Sequence, residues 1–109
     1  MRYQLCRVAL FALEAYADRW RIEVQYAEWE SGDHTPELTS GAQEVAASGV
    51  RATLALMLEA LNAPEDCLFT LNGERTQGPL DLMNRATNHV GSVTTRNERM
   101  NANDGFTAA

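Results

Sequence analysis

Lysine is absent from this chain: all nine basic residues among its 109 are arginine. That removes Schiff-base chemistry and the phosphate-gripping lysine of a P-loop. Cysteine is scarce, with only Cys6 and Cys67, 61 positions apart and with no CxxC and no histidine nearby. A zinc knuckle of the usual spacing is therefore excluded. Both thiols sit in apolar, strand-like stretches, which suits buried small hydrophobes or one disulfide between neighbouring strands. Long apolar runs are missing too. The run Val8–Leu13, flanked by Arg7 and Glu14, is far short of the roughly 18 residues a spanning helix needs. With Arg2 ahead of it and Ala15-Tyr16-Ala17 behind, that run mimics a signal peptide, but it is too short and too charged to be one. The expectation is a soluble, cytoplasmic protein in a reducing compartment.

What is present is an ordinary globular composition, 45% hydrophobic and 22% charged, in a length that makes one domain over residues 1–109. The acid is unevenly placed. Residues 1–22 carry four arginines against two acids, and residues 67–109 carry four against four. Residues 23–66 carry nine acids against the single Arg51, so this segment accounts for the net charge of −6. Glu28, Glu30, Asp33 and Glu37 fall within ten residues with no base among them. A localised field of this sign attracts basic partners and repels nucleic acid and anionic membrane.

The segment Trp20-Arg-Ile-Glu-Val-Gln-Tyr26 alternates strictly, with Trp20, Ile22, Val24 and Tyr26 on one face, and predicts a half-buried strand. Residues 3–13 fit a strand buried on both faces, or an Ala/Leu helix. The strand is preferred, because Glu14–Asp18 can connect it to the next strand as a hairpin. Residues 31–41 cluster turn formers and predict a surface loop. Ser40 then reads as an N-cap, with Gln43 and Glu44 in the first turn of a helix over 42–61 that ends at Asn62-Ala63-Pro64. That helix, apolar nearly all round in its second half, is expected to pack centrally. Cys67–Leu71 predicts a short strand closed by the tight-turn dipeptide Asn72-Gly73. Pro79 and Asp81 suit the start of a second helix, with Leu80, Met83, Thr87 and Val90 at helical spacing. Past Gly91 the chain is a polar tail or a helix extension, on which Leu82, Ala86, His89, Val93 and Met100 would align and which Asp104-Gly105 would cap. The order β-β-α-β-α implies an α+β two-layer sandwich, a small and mainly antiparallel sheet packed by a central helix. Its three strands leave an exposed edge.

Catalytic signatures are missing. Asp33, His34 and a flanking glutamate match no metal-binding spacing, and this stretch reads as a solvated turn. His89 is followed by Ser92, Thr94 and Thr95, but the orienting third group of a triad is not there, so it reads as a structural histidine. Gly73–Gly78 matches no phosphate-binding fingerprint. Trp20 and Tyr26 beside Arg19 and Arg21 resemble a stacking platform for nucleic acid, yet they share the core face and the net charge opposes phosphate. Trp29, between Glu28 and Glu30 and past the end of the alternation, is either an exposed interface anchor or a cap folded back on the core.

These features predict a non-enzymatic, protein-binding module, with no cofactor and no metal. Its binding residues are expected to be Glu23, Glu28, Trp29, Glu30, Asp33, Glu37 and Glu44. The partner class is a basic protein, such as a nucleic-acid-binding complex, with no direct contact to nucleic acid or membrane. In size and charge alone the chain resembles phage or mobile-element inhibitors of the anti-CRISPR or anti-restriction type, and antitoxin or immunity proteins. The alternatives are a self-assembling or accessory structural protein, dimeric through its sheet edge, and a small ligand-binding domain or enzyme.

Overall fold

The computed structural model describes residues 1–32 and 35–108, with side chains through residue 96. The elements in chain order are β1 (Arg2–Ala12), β2 (Arg19–Glu30), β3 (Glu37–Ala46), α1 (Val50–Leu61), β4 (Leu68–Leu71), β5 (Glu74–Arg75) and α2 (Pro79–Ala108), with a 3₁₀ turn at Ala47–Gly49 before α1. The strands form one mixed sheet in the order β3-β2-β1-β4-β5. All neighbours are antiparallel except β1 and β4, which run parallel. A parallel pair needs a crossover, and α1 supplies it. The fold is α+β, as the sequence implied, with five strands in place of three.

Alternation decides which face carries the helices. The even-numbered Cys6, Val8 and Leu10 of β1 and Trp20, Ile22, Val24 and Tyr26 of β2 are buried, together with Phe69 and Leu71 of β4. Val50 and Leu54 of α1 and Leu82, Ala86 and Val90 of α2 close this core from above. The strand expected over 3–13 is β1, and the hairpin that follows is held by Leu13 N–H donating to Arg19 O at 2.9 Å. At its corner Ala17 is fully buried in the left-handed region, φ 58°. Its carbonyl accepts the Trp20 indole N–H at 2.7 Å and the Thr94 hydroxyl at 3.2 Å. That corner ties the hairpin to α2.

Four expectations need correction. Residues 37–41, read as part of a loop, lie in β3, and Ser40 caps no helix because α1 begins only at Val50. The turn formers misled because β3 is an edge strand exposed on both faces, so no apolar period of two is imposed on it. Secondly, of the Leu80, Met83, Thr87 and Val90 spacing only Val90 is fully buried and Leu80 is 70% exposed; α2 buries Leu82 and Ala86, the alignment expected for its extension, together with Val90. The stripe is rotated by a third of a turn from the Leu80–Met83–Thr87 line. Thirdly, α2 continues through Asp104-Gly105 to Ala108 instead of being capped there. The side chain of Met100 lies outside the described residues. Finally, β2 does not slip after Tyr26. Its register with β1 runs unbroken to Arg2↔Glu30, which places Trp29 on the face opposite the helices. The Asn72-Gly73 turn forms as expected, both residues having positive φ (50° and 85°) as a tight hairpin turn requires, and it joins β4 to the unforeseen β5.

Candidate functional site

The second face of the sheet carries no helix among the described residues, since α1 and α2 both pack on the even-numbered face of β1 and β2. The register aligns the open-face side chains in rows: Tyr3 with Trp29, Leu5 with Ala27 and Leu68, Arg7 with Gln25 and Thr70. Phe11 is 46% exposed there and Leu38, on β3, 57%. Between these rows lies a shallow trough of about 1190 Å³ over the middle of the sheet, floored by Leu5, Arg7, Ala9, Phe11, Gln25 and Thr70. At one end of this face Trp29 and Tyr3 stack, ring centroids 5.6 Å apart and planes 24° apart.

The acidic residues singled out from the sequence do not form one patch. Glu23 and Glu44 share the open face with Arg21, which reaches Glu23 at 3.1 Å and Glu44 at 3.7 Å. One guanidinium thus offsets one of the two carboxylate charges. Glu28, Glu30 and Glu37 gather at the other end of the sheet. Glu28 and Glu37 are direct cross-strand partners, a pairing of like charges that costs stability unless relieved. Relief comes from Arg2, whose guanidinium is ion-paired with Glu28, and from the Tyr26 hydroxyl, which donates to Glu28 Oε2 at 3.3 Å. Glu30 lies 3.9 Å from the N-terminal amino group. Glu37 is exposed at the start of β3. Asp33 and His34 lie outside the described residues. Trp29 is half-buried against Tyr3, with Glu28 and Glu30 directed to the other face of the same strand.

Several other polar groups have structural partners. Asp81 Oδ2 accepts the Gln77 backbone N–H and the Arg85 side chain, both at 2.8 Å, which fixes the start of α2. These hydrogen bonds, the backbone one foremost, hold its carboxyl below the usual range. Arg51 donates to Met83 O and Thr87 Oγ1 and so clamps α1 to α2. His89 packs edge-on against Trp20, centroids 5.6 Å apart. Cys6 and Cys67 are free, buried thiols; burial pushes Cys6 up to about 12 and Cys67 up to about 11. No group of three His, Cys, Asp or Glu that could hold a metal ion occurs among the described residues, nor any helix long and apolar enough to cross a membrane.

The chain matches no family model, no curated protein and no solved structure.

The open face went unnoticed in the sequence, although the signal was there. Tyr3, Leu5, Ala9 and Phe11 alternate in β1 just as Cys6, Val8 and Leu10 do. A strand apolar on both faces is read as buried on both; here only one face is covered.

Proposed function

We propose that the chain is a protein-binding module without catalytic activity, docking through its open sheet face and the acid-rich end beside it. The observation that carries this reading is the uncovered face itself. Tyr3, Phe11, Leu38 and the half-buried Trp29 hold apolar and aromatic surface in water on a rigid five-stranded platform. Exposed aromatic surface on an uncovered face marks interaction sites, and tryptophan and tyrosine are the residues that anchor them. Glu30 and Glu37, at the adjoining end of the sheet and towards its other face, favour a partner with a basic surface, of the kind proteins that handle nucleic acid present, whereas Glu28 is taken up by Arg2. Within that class, an inhibitor encoded by a phage or mobile element, or an antitoxin or immunity protein, fits the size and the charge of −6.

The test is capture of a stoichiometric partner from the native host by the tagged full chain, compared with two variants. Trp29→Ala should abolish capture, and Glu30→Gln combined with Glu37→Gln should make it weaker and less sensitive to salt. Capture that survives both changes rejects this face as the docking surface.

A further inference from the structure

β3 is the outermost strand of the sheet and ten residues long. Nine of its ten residues are exposed, Val45 alone being half-buried. Its pairing with β2 runs from Arg19↔Ala46 to Glu28↔Glu37 without a bulge. It contains no proline and no base, and its charges are limited to Glu37 and Glu44. Folded proteins ordinarily blunt such an edge with a bulge, a proline, a charge at its middle or a covering segment. Among the described residues none of these devices operates over residues 38–43. The opposite edge, β5, is only two residues long. On its outer side β3 therefore presents alternate backbone N–H and C=O groups over about 30 Å, an array that another extended strand satisfies.

We infer that the strand added to this edge is β3 of a second copy, antiparallel about a twofold axis through Ala42, forming one continuous ten-stranded sheet. Residues directly opposite in an antiparallel pair share a face. Pairing about Ala42 matches even with even and odd with odd, so both helical layers stay on one side. Leu38 then meets the partner's Ala46, Thr39 the partner's Val45, Ser40 the partner's Glu44 and Gly41 the partner's Gln43. The exposed Leu38 gains an apolar neighbour, and each Glu44 carboxylate faces a serine hydroxyl.

Charge selects this arrangement. In a chain of net charge −6, a parallel in-register pairing would set Glu37 on Glu37 and Glu44 on Glu44, like charges directly opposed. The antiparallel pairing opposes no two acids, because Glu37 falls outside the paired segment. The route of the chain keeps the edge clear. After Ala46 the backbone turns inward, with Ala47 N–H donating to Asp18 O at 2.8 Å, so the 3₁₀ turn does not cover the outer side of β3. This association engages Leu38 at the edge but leaves Tyr3, Phe11 and Trp29 of the open face free, and it is tested independently of the partner-binding role proposed above.

Sedimentation velocity on the full chain, from dilute to concentrated solution, should show a concentration-dependent species of twice the 12.1 kDa chain mass. Ala42→Arg should remain monomeric where the parent is dimeric, because it sets two positive charges together on the axis. The substitution is compatible with the monomer fold, since Ala42 is exposed and lies across from Glu23, and far-UV circular dichroism checks this. Ala42→Cys, alone on the axis, should form an intermolecular disulfide on oxidation, whereas Gly41→Cys should not; the native thiols are buried. A parent chain that stays monomeric throughout overturns the inference, as does a dimer that Ala42→Arg leaves intact. A cross-link through Gly41→Cys in place of Ala42→Cys overturns the register.

Discussion

Tyr3 and Trp29 stack across β1 and β2 with their ring centroids 5.6 Å apart, on the face of the sheet that no helix covers. Trp20, nine residues before Trp29, is 1% exposed in the core on the other face. The two tryptophans of this chain thus report opposite sides of one sheet. Acrylamide should quench Trp29 and leave Trp20 shielded, and Trp29→Phe should remove the accessible component. Loss of the shielded component in that variant would reverse the assignment of the two faces.

Within α1 the positions divide sharply. Leu54 is fully buried in the core, whereas Leu56 is 67% exposed. Leu54→Ala should destabilise by about 2–5 kcal/mol, the cost of a large-to-small change in a core that cannot close the cavity. Leu56→Ala should stay within about 0.5 kcal/mol of the parent. Denaturant melts measure both, and similar midpoints would mean that α1 is not anchored through Leu54.

The contrast between these elements explains what was legible in the sequence. β2 was readable because one of its faces is buried and the other is partly polar, so Trp20, Ile22, Val24 and Tyr26 impose a period of two. α1 was readable from its apolar second half, but its start was not. Ser40 with Gln43 and Glu44 satisfies the local pattern of a helix cap, and only pairing with β2 draws those residues into a strand. Pairing with a distant segment leaves no local mark where neither face is buried. The same holds for the site. The acids were visible in sequence, but their separation into an Arg21-bound pair and an Arg2-relieved end depends on strand parity and on arginines contributed by other residues of the sheet. Trp29 was noticed for its acidic neighbours, yet Tyr3, its stacking partner, lies 26 residues away in sequence.

The buried thiols set an alkaline limit. Burial raises Cys6 from the ordinary 9.0 to about 12 and Cys67 to about 11, so the folded chain keeps both protons where the unfolded chain loses them. In that window the native state binds more protons than the unfolded state, and stability falls as pH rises. The contribution is fully present below pH 9 and is lost progressively between about 9 and 12. Cys6→Ser should not be used to remove the effect, because it buries a hydroxyl; Cys6→Ala is the suitable variant. It should flatten the alkaline side of a melting-temperature profile, and an unchanged slope would show that Cys6 ionises freely in the fold. Both thiols should also react slowly with a disulfide reagent at neutral pH until the chain is unfolded.

The buried corner at Ala17 gives the most specific expectation. Its carbonyl accepts the Trp20 indole, at 2.7 Å, and lies 3.2 Å from the Thr94 hydroxyl, whose one proton is shared with Val90 O at 2.8 Å, so hairpin and α2 meet on one acceptor. Trp20→Ala removes the largest fully buried side chain and should cost about 3–5 kcal/mol. Trp20→Phe keeps much of the volume but withdraws the donor, leaving the carbonyl to Thr94. Thr94→Val withdraws the other donor, leaving it to Trp20. Each single variant retains one partner for a buried acceptor, whereas the double variant strands it. An unsatisfied buried group costs about 1–3 kcal/mol, more than the net worth of one hydrogen bond. The double variant should therefore lose more stability than the sum of its parents, with a coupling of about 0.5 kcal/mol or more. Urea melts of the four proteins measure it. Additive losses would show that the two donors do not share this carbonyl, and that α2 is held to the hairpin by packing, such as that of His89 against Trp20.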